Sequence, residues 1–138
     1  MTSREKLYLT AARLNRQLSQ MTNDDARSAL QHELMAFLAD RRNATVHDVA
    51  EYLGLSESSA TQLINRMVRD EIVLRHRDTS DRRLVHLKLS SRGRQSHRSY
   101  MKQQTRCLRQ VFVGLTDRQL KQAISFQQHI LHTLSKLT

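Results

Sequence analysis

Residues 45–73, TVHDVAEYLGLSESSATQLINRMVRDEIV, constrain the fold more than any other stretch of this chain. Thr45 is placed to cap a short helix that buries Val49, Ala50 and Leu53. Gly54 then supplies the one residue type that enters the left-handed region without a steric cost, which ends that helix and turns the chain. Leu55 packs inward after the turn, and Ser56 is a good N-cap for a second helix. In that second helix Ala60, Leu63, Ile64, Met67 and Val68 recur at i, i+3, i+4, i+7 and i+8, which puts an apolar stripe along one face. Two short helices joined by a tight glycine turn make a helix-turn-helix.

The opposite face of the second helix carries Ser58, Ser59, Thr61, Gln62, Asn65, Arg66 and Arg69, with no Asp or Glu among them. Short donors and acceptors near the start of a helix can reach base edges in a major groove, and the arginines further along reach bases or phosphates. An ordinary wet helix face would look much the same, so this helix alone leaves both readings open. The next segment decides between them. In RHRDTSDRRLVHLKL, residues 75–89, four arginines, a lysine and two histidines surround two aspartates. Val85, Leu87 and Leu89 alternate with His86 and Lys88, the period of a half-buried strand. Its partner is expected over Val73–Arg77, with Asp78-Thr79-Ser80-Asp81 as the turn. A hairpin directly after a helix-turn-helix is a wing. Arg75 and Arg77 lie on its first strand, while Arg82 and Arg83 stand beside the tip, where a guanidinium is drawn into the negative potential of a minor groove. Carboxylates next to DNA are repelled by phosphate, so Asp78 and Asp81 are expected to order the turn and hold an arginine fork by bidentate pairing.

Charge distribution supports a polyanion as the partner. The chain carries a net +10 over 138 residues, yet residues 1–74 have a net −1 and residues 75–109 a net +9. A basic surface maintained only for solubility would not need that concentration on one quarter of the sequence. The length corresponds to a single domain. The longest apolar run, Leu34–Ala39, is far too short to span a bilayer, and no signal peptide is read at the N-terminus, so no membrane association is expected. A single cysteine, Cys107, excludes an intrachain disulfide and fits a cytoplasmic protein.

Long helices flank the central lobe. Thr2 and Glu5 form a capping box at the start of a helix over about 3–20, in which Leu7, Ala11, Leu14, Leu18 and Met21 make a seam with 4-3-4-3 spacing. A turn follows at Thr22–Asp25, and then a helix near 25–40 with Leu30, Leu34, Phe37 and Leu38 on one face. A helix over about 91–113 is basic early and apolar late, at Leu108, Val111 and Phe112. Thr116 and Gln119 cap a last helix carrying Leu120, Ala123, Ile124, Leu131, Leu134 and Leu137. A monomer would leave much of this apolar surface wet, which argues for a second copy.

The segments VAEYLGLSESSATQLINRMVRDEIVLR and DTSDRRLVHLKLSSRG, with the D-x-x-D-R-R wing and the L-x-L-S-x-x-G exit at Leu87–Gly93, resemble the MarR family of winged helix-turn-helix regulators. The resemblance implies a mainly α fold with a small β-hairpin wing and with N- and C-terminal dimerisation helices. Residues 1–22 and 91–138 would then dimerise and residues 25–90 would form the DNA-binding lobe, all within one domain, 1–138. It implies a homodimer held through residues such as Leu7, Leu14, Leu18, Leu120, Ile124, Leu131 and Leu134. Its partner would be double-stranded DNA with a pseudo-palindromic operator, and its regulator a small-molecule effector. By the same analogy the Ser56-capped helix is the recognition helix and Arg82 and Arg83 reach the minor groove.

A second reading, a winged-helix interaction module that holds a protein or polyanion without reading sequence, uses the same scaffold. No enzyme is expected, since neither a nucleophile elbow, a glycine-rich phosphate loop nor a carboxylate pair is present. No cofactor or metal is expected either: His129 and His132 are spaced i, i+3 with no cysteine or carboxylate cluster beside them. Cys107 falls in a long helix, where a buried structural thiol is the commoner case than an oxidant sensor.

Overall fold

The structure is a computed structural model that describes residues 1–22 and 25–137. Its order is α1 (Ser3–Thr22), α2 (Ala26–Ala39), α3 (Val46–Leu53), α4 (Glu57–Arg69), β1 (Val73–Arg77), β2 (Val85–Leu89), α5 (Ser91–Phe112) and α6 (Asp117–Ser135). Asn23 and Asp24 of the expected first turn lie outside the described residues.

Each helix begins where a side chain supplies the missing backbone acceptor. Asp25, Thr45, Ser56, Ser90 and Thr116 are N-caps whose side-chain oxygens accept from amides three residues on. At Thr45 the cap is reciprocal, because the Asp48 carboxylate accepts from the Thr45 amide at 2.9 Å. Thr2 and Glu5, and Thr116 and Gln119, close the same way. Gly54 sits at φ +66°, and its amide donates to Ala50 and Glu51, closing α3 and releasing the chain into the turn before α4.

The core belongs to the central lobe. Leu34 and Leu38 of α2, Val49 of α3, Ile64 and Met67 of α4, Val73 of β1 and Leu87 of β2 are its largest fully buried side chains. β1 and β2 pair antiparallel in the register Val73↔Leu89 to Arg77↔Val85. The α2–α3 loop adds a rung: Ala44 pairs with Leu87, whose amide donates to the Ala44 carbonyl at 2.7 Å. That rung changes one expectation. Strict alternation would leave His86 on a wet face, but the loop covers it and His86 is buried along with Leu87 and Leu89. The exit into α5 is tight, since a Cβ on Gly93 would stand 2.3 Å from the Ile72 carbonyl oxygen.

The outer helices behave differently. Neither α1 nor α6 contains a buried residue. Leu7, Leu14, Ile124, Leu131 and Leu134 are exposed, and Leu18 and Leu120 are only half-buried. The apolar seams of these helices face outward from the single chain. α1 rests on α5, and α5 on α2.

Candidate nucleic-acid interface

Packing of α4 through Ala60, Leu63, Ile64 and Met67 turns its other side to solvent. Ser56, Ser58, Ser59, Gln62, Asn65 and Arg69 are exposed, while Thr61 and Arg66 are half-buried at the edges of that face. Ser56 Oγ both accepts from the Ser59 amide at 3.1 Å and donates to Ser59 Oγ at 3.0 Å, so two of the small hydroxyls are set by the cap itself. The one acidic residue in the first turn, Glu57, is drawn aside: its Oε1 lies 3.0 Å from His47 Nδ1 on α3. That carboxylate, with Glu51 3.8 Å from His47 Nε2, pushes the His47 pKa up from its ordinary value. The sequence reading missed this pair, since contact between residues ten apart on different helices leaves no periodic trace.

The hairpin returns beside the C-terminal half of α4. Arg75, on β1, donates through Nη2 to Asn65 Oδ1 and so ties the wing strand to the helix face. Gln62, Asn65, Arg66, Val68, Arg69 and Arg75 line an open groove of about 560 Å³ there, with three guanidinium groups and no carboxylate in its lining. A concave surface of this sign and chemistry accepts phosphate and base-edge acceptors.

At the tip the two aspartates take different parts. Asp78 Oδ1 accepts from the Ser80 amide at 2.7 Å, the Ser80 hydroxyl at 2.9 Å and the Asp81 amide at 3.0 Å. Its Oδ2 meets His86 Nε2 at 2.8 Å, and the histidine is the largest cause of a carboxyl pKa held well below the usual range. Asp78 therefore holds the turn and a histidine and, among the described residues, no arginine. The arginine fork falls to Asp81, which accepts from Arg83 Nε at 3.2 Å, Arg83 Nη2 at 3.3 Å and the Arg83 amide at 3.0 Å. The Arg83 guanidinium lowers the Asp81 pKa for the same reason. Arg77 Nη1 donates to the Arg82 carbonyl at 2.9 Å and so braces the turn. Arg82 itself is exposed and has no ion pair among the described residues. The ordering is local and cheap, because exposed pairs of this kind contribute roughly 0–1 kcal/mol to stability.

The sequence profile of the MarR family matches residues 28–85, the stretch that contains the whole helix-turn-helix and the wing turn. Over that stretch, 58 of its 138 residues, the chain is similar to the MarR family. Over 86 residues the chain is 28% identical to YsmB, an HTH-type transcriptional regulator of Bacillus subtilis (strain 168). That match covers 62% of this chain and spans about three fifths, 59%, of the relative's length. AbsC, a MarR family transcriptional regulator from Streptomyces coelicolor, has the same fold with a TM-score of 0.78 at 22% identity, over 97% of this chain and 96% of its own. CouR from Rhodococcus jostii RHA1, solved bound to p-coumaroyl-CoA, superposes with a TM-score of 0.77 at 18% identity over 91% of both chains. The expected winged helix-turn-helix, mainly α with a β-hairpin, is therefore the fold observed. No helix among the described residues is long and apolar enough to cross a membrane.

Proposed function

We propose that this chain is a dimeric, sequence-specific, double-stranded-DNA-binding transcriptional regulator of the MarR family. One observation carries the reading. The exposed polar face of α4, the Arg66–Arg69–Arg75 groove and the Arg82–Arg83 tip lie on consecutive elements joined to one another, and the carboxylates of Glu57, Asp78 and Asp81 are engaged by His47, His86 and Arg83 in turn. Ser56, Ser58, Ser59, Thr61, Gln62 and Asn65 enter the major groove, with Gln62 and Asn65 as the base readers. Arg66, Arg69, Arg75 and Arg77 meet phosphates or base edges beside them. Arg82 and Arg83 enter the neighbouring minor groove.

Two copies are needed for an operator with twofold symmetry, whose half-sites lie about one helical turn apart. The outward apolar seams of α1 and α6 supply the interface, through Leu7, Leu14, Leu18, Leu120, Ile124, Leu131 and Leu134, within a single domain of which residues 25–90 form the reading lobe. A small-molecule effector is in keeping with the ligand that CouR carries, and a cytoplasmic location with the DNA target. The alternative of an interaction module without sequence readout gains no support from any observation.

The test is competition. Genome-fragment selection with the purified protein should recover a near-palindromic site that outcompetes random duplex by a factor of about 10³ or more at physiological salt. Retention of all duplexes alike would overturn the reading. In parallel, Leu131→Glu with Leu134→Glu should convert the dimer into monomer by light scattering and abolish operator binding.

A further inference from the structure

His86 is a buried ionisable group that the recognition helix and the wing arginines leave unused. It sits in the middle of the hairpin with both ring nitrogens engaged, Nδ1 at 3.1 Å from the Asn43 carbonyl oxygen and Nε2 at 2.8 Å from Asp78 Oδ2. Both partners can only accept. A neutral imidazole has one N–H and satisfies one of them, whereas the imidazolium donates to both. The two partners belong to different parts of the lobe: Asp78 opens the arginine-bearing turn, and Asn43 lies on the α2–α3 loop whose next residue, Ala44, pairs with β2. The histidine is thus a two-ended tie between the wing tip and the body of the lobe. Asp78 is well suited to its end, since three further donors fix its other oxygen.

The groups that surround the ring are few. Asp78 faces it from the turn. His76 faces it from β1, with ring centroids 5.5 Å apart, and the buried His76 Nδ1 has no hydrogen-bond partner among the described residues. At the end of α2, Arg41 is turned onto the Phe37 ring and carbonyl. On α3, Asp48 closes the Thr45 cap. Arg42, Lys88 and Arg94 of α5 line a separate cleft with Leu74. Among the described residues, only Asp78 offers His86 an opposite charge in direct contact.

We propose that His86 is a positioning residue for the wing: as the imidazolium it pins the turn that carries Arg82 and Arg83 to the α2–α3 loop, and deprotonation releases one end. The proposal rests on the DNA-binding reading and adds to it a dependence of affinity on proton concentration. Affinity should fall as pH rises through the histidine range.

The experiment measures binding of a mixed-sequence duplex by fluorescence anisotropy at about pH 6 and at about pH 8. The native protein should lose about tenfold in affinity across that interval, the scale of one charge-assisted hydrogen bond. His86→Gln should bind at the lower pH about as weakly as the native protein does at the higher, without the native drop, while His76→Gln keeps it. An equal drop in native protein and His86→Gln overturns the proposal. Should His86→Gln fail to fold by circular dichroism, Asp78→Asn takes its place. That variant keeps an acceptor for the turn and removes the charge that favours the imidazolium, so the drop should move to lower pH; an unmoved drop overturns the proposal. Nitrogen NMR of the DNA-free protein gives an independent answer, with both His86 nitrogens expected to be protonated at the lower pH and a neutral tautomer there counting against the tie. Absence of any duplex binding would instead sink the DNA-binding reading, and the NMR result would still decide the state of His86.

Discussion

Replacing Arg82 by alanine isolates the wing's contribution to binding. The side chain is exposed at the tip and has no ion pair among the described residues, so its loss should change stability by no more than about 0.5 kcal/mol. On DNA it should matter. Each neutralised phosphate releases counterion and adds about 0.9 to the slope of log K against log salt, so a dimer that loses one contact per protomer loses about 1.8 from its slope. Between about 50 and 200 mM salt, that difference makes the native complex weaken roughly tenfold more than the variant complex. The term is independent of sequence, so a mixed-sequence duplex of about 30 base pairs, long enough for both half-sites, serves as the probe. Anisotropy titrations at four or more salt concentrations give the two slopes directly. Parallel lines, with affinity lowered or not, would refute the entry of Arg82 into the minor groove between the phosphates. A slope change of about half the expected size would mean that only one wing of the dimer touches DNA.

Other substitutions test the scaffold. Gly93→Ala places a Cβ 2.3 Å from the Ile72 carbonyl oxygen, and backbone on both sides must shift, so thermal unfolding should show a loss of about 2–3 kcal/mol. Ser56→Ala removes the acceptor for the Ser59 amide and should cost about 1 kcal/mol by denaturant titration, while also loosening the hydroxyl of Ser59 on the reading face. The His47 pKa, read by proton NMR, should lie above its ordinary value and return toward it in Glu57→Gln. Since the folded protein holds that proton more tightly than the unfolded chain, the pair's stabilisation is present in full below the unfolded pKa and is lost as pH rises through the folded one. A stability gain over that interval attributable to His47 would contradict the pairing.

Much of the lobe was legible because its physics is periodic and local. The apolar stripe Ala60, Leu63, Ile64, Met67 specifies which side of α4 is buried, and therefore which residues are left to solvent. Caps at Thr45, Ser56 and Thr116, and the left-handed Gly54, mark element ends through contacts within four residues. What escaped were side-chain contacts between separate elements, beyond the hairpin pairing itself. Alternation along β2 treats the sheet as two strands with one wet face; the Ala44 rung adds a cover that no pattern in residues 85–89 encodes, and His86 is buried as a consequence. The expected arginine partner of Asp78 turned out to be that same histidine, which only the hairpin register and the α2–α3 loop together bring within reach. Asn65 and Arg75 meet for the same reason, ten residues apart across a helix–strand junction. The seams of α1 and α6 form the opposite case. Their spacing is as regular as that of α4, yet one chain buries none of their residues. Periodicity states that a face must be covered and is silent on by whom; when a helix with a regular apolar seam finds no cover within its own fold, the missing surface has to come from another molecule, and a second copy with the same seam is the simplest one that fits.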